Sequence, residues 1–204
     1  MAYVLGFFTA DGNMIKNKRG ACFIEFQITD KGLLVKIKNL LQSNHKITIR
    51  KRNKKWKISY RLQIGSKKIF KDLLKLGLTP NKSKIIKLPK IPNKYFSHFT
   101  RGYFDGDGNV TISKYTRAGR NNKKSITILS GFTSGSREFL KELHIKLKKL
   151  AGIFGGALYY YQGYRLYFSV NDSLTLYKFL YKNIRNDLYL ARKREKFEKY
   201  FKIR

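Results

Sequence analysis

Val4-Leu5-Gly6-Phe7-Phe8-Thr9-Ala10-Asp11-Gly12 and Thr100-Arg101-Gly102-Tyr103-Phe104-Asp105-Gly106-Asp107-Gly108 are two versions of one nine-residue pattern. Both put Gly third, aromatics fourth and fifth, a small residue seventh and Asp-Gly last; Asn and then Met14 or Val110 follow. Leu5, Phe8 and Thr9, like Phe99, Gly102 and Tyr103, fall at i, i+3, i+4, which predicts helices. Gly6 and Gly102 then sit inside those helices, where Gly costs about 1 kcal/mol relative to Ala. A cost repeated at the same place points to a gain elsewhere, the close approach of two backbones. Gly12 and Gly108 are expected to take the left-handed conformation that ends a helix. The stretch therefore predicts two helices packed through their glycines, with Asp11 and Asp107 side by side. Carboxylates at two negative dipole ends make a good divalent-cation site.

Outward from each copy the two halves run in parallel. In the first, Ala21 to Thr29 reads as a strand and Lys31 to Ser43 as an amphipathic helix. Lys46 to Arg52 and Trp56 to Ile64 alternate as a hairpin around Asn53-Lys54-Lys55, and a helix follows over Lys67 to Leu76. In the second, Ser125 to Phe132 is a strand and Ser136 to Leu150 a helix. Gly155 to Tyr161 and Tyr164 to Val170 form a hairpin turning at Gln162-Gly163. Leu174 to Ile184 and Leu190 to Phe201 are helices. Pro89 and Pro92 mark one boundary, so the chain divides into a repeat over 1–83, a linker over 84–97 and a repeat over 98–204.

Composition narrows the partner. The 204 residues carry 45 Lys and Arg against 12 Asp and Glu, a formal charge of +33. Such a field repels itself and is relieved beside a polyanion. The 42% hydrophobic and 15% aromatic content argues against disorder. No stretch reaches the ~18 apolar residues of a membrane span, and no signal peptide precedes the first copy. The expected setting is the cytoplasm or nucleoid of a prokaryote, or an organelle. Cys22 is alone, which excludes an internal disulfide or a zinc cluster of cysteines. His45, His98 and His144 fit no ligand spacing.

The two copies together resemble the signature of the LAGLIDADG homing endonuclease family, in its two-motif monomeric type. The resemblance covers nearly the whole chain. Thr9 departs at the sixth position, where the second copy keeps Asp105, and Arg101 stands where a small residue is usual. The resemblance implies an α+β fold of two pseudo-symmetric αββαββα repeats. Their motif helices pack at the centre, and two antiparallel sheets form a saddle for double-stranded DNA. It also implies intron homing by a monomer that makes a staggered double-strand break. Asp11 and Asp107 stand at the catalytic, metal-binding position, with the Ala10 and Gly106 carbonyls as supplementary ligands. Two or three Mg²⁺ ions are implied, for which Mn²⁺ or Ca²⁺ can substitute; Mg²⁺ typically takes one or two carboxylates plus waters and phosphates. Lys82 and Lys193 occupy similar places after the last hairpin of each half and are candidates for the basic residue of each site, with Gln27 for positioning water. An EF-hand reading of Asp105, Asp107 and Asn109 fails because Val110 stands where the loop needs Gly. A haloacid-dehalogenase-type nucleophile would leave the first copy unexplained.

The candidate strands supply groups for the grooves of DNA. These are Arg50, Arg52, Lys57, Arg61 and Gln63 in the first half. In the second they are Lys114, Arg117, Arg120, Lys123, Lys124, Tyr159, Tyr161, Arg165 and Tyr167. Arg and Gln can pair with guanine and adenine edges, while half to two-thirds of contacts in such interfaces go to phosphate and sugar. Two half-sites of one turn each imply an asymmetric target of roughly 20 bp. Two alternatives to the nuclease share this fold: a maturase that binds intron RNA, and a DNA-binding regulator that has lost cleavage.

Overall fold

The structure is a computed structural model that describes residues 1–51, 57–117, 123–182, 184 and 188–203, the side chains of 117 and 123 excepted. It is an α+β fold built twice. The first unit runs α1 (Ala2–Asp11), β1 (Gly12–Lys16), β2 (Cys22–Ile28), α2 (Lys31–Leu40), β3 (Ile47–Arg50), β4 (Ser59–Gly65) and α3 (Lys67–Lys75). The second runs α4 (Phe96–Asp107), β5 (Gly108–Arg117), β6 (Lys123–Ser134), α5 (Arg137–Ala151), β7 (Ala157–Tyr160), β8 (Tyr164–Phe168) and α6 (Val170–Tyr181). A further helix, α7 (Ala191–Ile203), closes the second unit; at the corresponding place the first has a 3-10 turn, Lys82–Lys84. Helix α4 starts inside the stretch expected to be linker.

Local chemistry starts the helices. Asp30 caps α2 by accepting from the Leu33 N–H at 2.8 Å, Ser66 caps α3 through Ile69 N and Ser136 caps α5 through Phe139 N. Such caps satisfy donors that a helix start leaves orphaned. Gly152, at φ 73°, ends α5 in the left-handed conformation.

The two sheets have the same antiparallel order, β1-β2-β4-β3 and β5-β6-β8-β7. Within them Phe26 and Phe132 hold matching places, paired with Gly12 and Gly108. Alternation puts Ile24, Phe26 and Ile28 on the buried face of β2, and Leu62 and Ile64 on that of β4. Helices cover those faces, which leaves the other face of each sheet open.

The motif helices depart from expectation at their ends. Gly12 (φ −79°, ψ 147°) and Gly108 (φ −87°, ψ 156°) are extended, not left-handed. Each helix passes directly into a strand, and those strands, β1 and β5, had no distinct sequence signal. Glycine is required there for space: a Cβ would sit 2.2 Å from the Phe8 ring at Gly12 and 2.3 Å from the Phe104 ring at Gly108. The return strand of the first hairpin begins at Ser59, leaving Lys57 in the connection before it.

Candidate active site and nucleic-acid interface

Helices α1 and α4 cross at their glycines. A Cβ on Gly6 would lie 2.0 Å from the Phe99 carbonyl oxygen, and one on Gly102 would lie 2.0 Å from that of Tyr3. No side chain fits between backbones this close, so the repeated glycine is a packing requirement. The crossing sets the two helix ends beside each other. A Cβ on Gly106 would meet Asp11 Oδ2 at 3.1 Å, so the Asp11 carboxylate lies against the residue preceding Asp107.

Electrostatics bear out the closeness. Burial pushes the Asp107 carboxyl up to about 7, and the neighbouring Asp11 charge adds to the rise. Asp11 is open to solvent, yet the protein packed around its other sides also raises its carboxyl. Two crowded carboxylates of like charge resist joint ionisation.

Lys82 and Lys193 are brought to this floor. They are 6% and 5% exposed, although lysine is almost never so buried unless paired. Lys193 Nζ donates to the carbonyls of Phe104 at 2.6 Å, Asp105 at 2.8 Å and Gly106 at 3.2 Å, the last turn of α4. The Phe104 oxygen also accepts from the Gly108 N–H, and a cation at this helix end meets the negative end of the dipole. Lys82 Nζ donates to the Gly12 carbonyl and lies 5.3 Å from the centre of the Phe8 ring. Burial lowers both lysines, Lys193 to about 8, against the attraction of the acids. The Gly106 carbonyl thus already accepts from Lys193. The structure describes no such bond for Ala10.

The sheets place two arginines in the same rows as the acids. Continuing the β1–β2 and β5–β6 registers by one residue opposes Asp11 to Gln27 and Asp107 to Thr133. Gln27 pairs in turn with Arg61, and Thr133 with Arg165. The two arginines are therefore equivalent, in the row of each acid with one strand between. Arg61 Nε lies 2.7 Å from Glu25 Oε2, and its Nη2 donates to Gln63 Oε1. Arg165 Nε donates to the Tyr161 carbonyl at 3.1 Å. Gln27 spends its amide on Ser59 Oγ at 3.0 Å.

The interface candidates divide by strand parity. Arg50, Arg61 and Gln63 share the open face of the first sheet; Tyr159, Arg165 and Tyr167 share that of the second. Tyr161 lies at the β7–β8 turn, 58% exposed. Lys114 and Lys124 are a correction to the expected arrangement. They have the parity of Val110, Ile112, Ile126 and Ile128, the face opposite to Arg165, where Lys114 lines a cavity with Lys196 and Lys199 of α7. The long β5–β6 hairpin runs past the core there, so this face too becomes exposed, and polarity alone could not say which face a lysine takes. Arg52 and Arg120 lie outside the described residues. Arg117 and Lys123 are paired strand positions whose side chains are not described.

Sequence reasoning passed over Tyr103 and gave Arg101 and Asp105 no role beyond their place in the motif. Tyr103, fully buried, stands where the first copy has Phe7, donates to the Thr133 carbonyl at 2.9 Å and lies beside Asp107. Arg101 and Asp105, each 1% exposed, form a polar core within α4. Their signal was in the sequence, as departures of one copy from the other.

Comparison with known proteins agrees with this geometry. The family model of the LAGLIDADG-like domain matches residues 1–76, the whole of α1 to α3. The first repeat matches the LAGLIDADG-like domain. The LAGLIDADG meganuclease I-AabMI, bound to uncleaved DNA, superposes with a TM-score of 0.67 over 98% of this chain and 88% of its own, at 14% identity. I-SmaMI, bound to uncleaved DNA with calcium, gives 0.66 over 99% and 89%, at 13% identity. Likeness at such low identity establishes the LAGLIDADG fold. An uncharacterized protein of Methanocaldococcus jannaschii is 26% identical over 215 residues, spanning 98% of this chain and 70% of that protein. No helix among the described residues is long and apolar enough to cross a membrane.

Proposed function

We propose that the protein is a site-specific homing endonuclease that makes a metal-dependent, staggered double-strand break in a long asymmetric DNA target. One observation carries the reading: two carboxylates from different repeats meet at paired helix ends, each repeat adding one buried lysine to the same floor. The solved relatives described as bound to uncleaved DNA support DNA as the partner. The charge of +33 supports it as well, since pairing every acid would still leave most cations free to meet phosphates.

The donor set suits a hard divalent cation such as Mg²⁺. Among the described residues no group of three or more His, Cys, Asp or Glu side chains gathers, so a cation held by Asp11 and Asp107 would keep places for water and phosphate oxygens. Burial raises both carboxyls, Asp107 further through the neighbouring Asp11, and a bound cation would favour their ionised forms. A bound Mg²⁺ supplies Lewis-acid polarisation of the phosphate and a more acidic water.

The chain's own residues do the rest. Asp11 and Asp107 each face one strand. Lys82 and Lys193 carry positive charge to the floor, where it offsets charge developing on the phosphate. Arg61 and Arg165 flank the acids on the open faces and orient the backbone, while Gln27 orients water on the first side. The test is to incubate the protein with a randomised DNA library and Mg²⁺ and sequence the cut molecules. A staggered cut in one asymmetric motif is the expected result. Intron RNA binding without any cut would favour the maturase, and DNA binding without any cut the regulator.

A further inference from the structure

The buried polar core of α4 has no counterpart in α1. Asp105 Oδ2 accepts from Tyr3 Oη at 2.6 Å and from the Leu190 N–H at 2.9 Å. Arg101 donates through Nε to the Leu188 carbonyl at 2.9 Å and through Nη1 to that of Leu180 at 2.8 Å. Its Nη2 lies 3.0 Å from His98 Nδ1. In α1 the same positions hold Leu5 and Thr9, and the Thr9 hydroxyl donates to the Leu5 carbonyl of its own helix.

What this core grips is the segment leading into α7. Leu190 lies one turn before Lys193, whose N–H donates to the Leu190 carbonyl at 3.0 Å. Lys193 Nζ then returns to the carbonyls of residues 104 to 106. Asp105 therefore meets this segment twice, by its side chain at Leu190 and by its carbonyl at Lys193. The loop closes on itself, with Tyr3 tying it to α1. Lys82 stands on a 3-10 turn instead, next to Asn81 in a left-handed conformation, with the Gly12 carbonyl as its acceptor.

We propose that Asp105, with Arg101 and Tyr3, is a positioning unit that fixes Lys193 at the end of α4, so that the two halves of the floor are held unequally and the two strands are cut by unequally ordered sites. Buried charges that are hydrogen-bonded on several sides serve to select one arrangement where apolar packing allows several. This inference rests on the endonuclease reading and deepens it. It predicts that loosening the unit harms one strand cut and spares the other, because a displacement of about 1 Å near reacting atoms can cost on the order of 10²-fold.

The experiment gives α4 the residues of α1 in the double variant R101L/D105T and follows cutting of a supercoiled plasmid bearing the selected target, each strand end-labelled. The expected result is accumulation of nicked circles, with one strand cut slowed at least about tenfold and the other within about threefold. Tyr3→Phe, which removes one hydrogen bond and keeps the ring, should show the same strand bias in weaker form. It is the variant to read if the double exchange melts below the assay temperature. Thr9→Val serves as the first-half control and should leave the strand ratio unchanged. Equal slowing of both strands in R101L/D105T and Tyr3→Phe, or an unchanged ratio, overturns the inference while leaving the endonuclease reading intact. Absence of any cut by the unaltered protein overturns both.

Discussion

The two halves end their motif helices at one floor but hold that floor by different physics. Both halves set an edge-to-face ring pair under a lysine, Phe8 and Phe26 under Lys82 and Phe104 and Phe132 under Lys193, but around α1 the rest is apolar, with Leu5 packed against the core. Around α4 it is polar and deeper: Arg101 and Asp105 are buried whole, Tyr103 replaces Phe7, and α7 lays Phe197 against Phe104. A nine-residue pattern can therefore be kept as geometry while its supports diverge. The glycines and the two acids are what both halves retain, because neither a wider crossing nor a longer carboxylate would leave the floor in place.

The largest effect should come where the halves are equal. Asp11→Asn and Asp107→Asn should each reduce double-strand cutting by on the order of 10³-fold, read as loss of linear product from a supercoiled target. Retained DNA binding in a gel-shift assay separates this from misfolding. If only one of them mattered, the equivalence of the acids would be broken. Next come the shared glycines. Gly6→Ala and Gly102→Ala each push a methyl group to 2.0 Å from a carbonyl oxygen of the facing helix. Each should destabilise by about 3 kcal/mol or more, since overpacking a rigid contact typically costs 1–3, measured by denaturant unfolding. Equal losses confirm a symmetric crossing.

The lysines sharpen the difference. Lys193→Met removes a charge held by three carbonyls, and Lys82→Met one held by a single carbonyl. Rate losses of roughly 10²-fold and roughly tenfold are expected, read separately for each strand.

The smallest effect is a pH dependence of the metal-free protein. Burial raises Asp105 from 3.8 to about 6 and Asp107 from 3.8 to about 7, so the folded state holds those protons more tightly than the unfolded chain. Their contribution is complete below about pH 3.8 and fades as pH rises through 6 and 7. Lys193, lowered to about 8, has the reverse slope: it favours folding progressively between about pH 8 and 10.5. Thermal melts in a chelator should show these groups giving a minimum near pH 7 to 8. Mg²⁺ should raise the melting point most there, and Asp107→Asn should flatten the acidic side. Melting that rose steadily from pH 4 to 8 would contradict the burial of these acids.

Most of the architecture was readable because its causes are local. Caps at Asp30, Ser66 and Ser136 and the alternation of Leu62 and Ile64 with Arg61 and Gln63 are fixed by near neighbours in the chain. Strands β1 and β5 escaped notice because each begins at the residue directly after a helix, with no turn between to mark the change. The role of Gly12 and Gly108 was misread for a related reason: their constraint is the ring of Phe8 or Phe104 packed against them, not a turn.

The amino-acid order alone determined that this chain repeats one motif, that two acids hold the same place in its copies, and that it carries a net charge of +33. Repetition, spacing and net charge are properties of the chain and need no coordinates. Only the tertiary structure decided that Lys82 and Lys193 are buried beside those acids and that Arg61 and Arg165 share their rows two strands away. It alone turned Lys114 and Lys124 to the opposite face. Burial and facing depend on which distant segments pack together, and a lysine in a lysine-rich sequence carries no local sign of either.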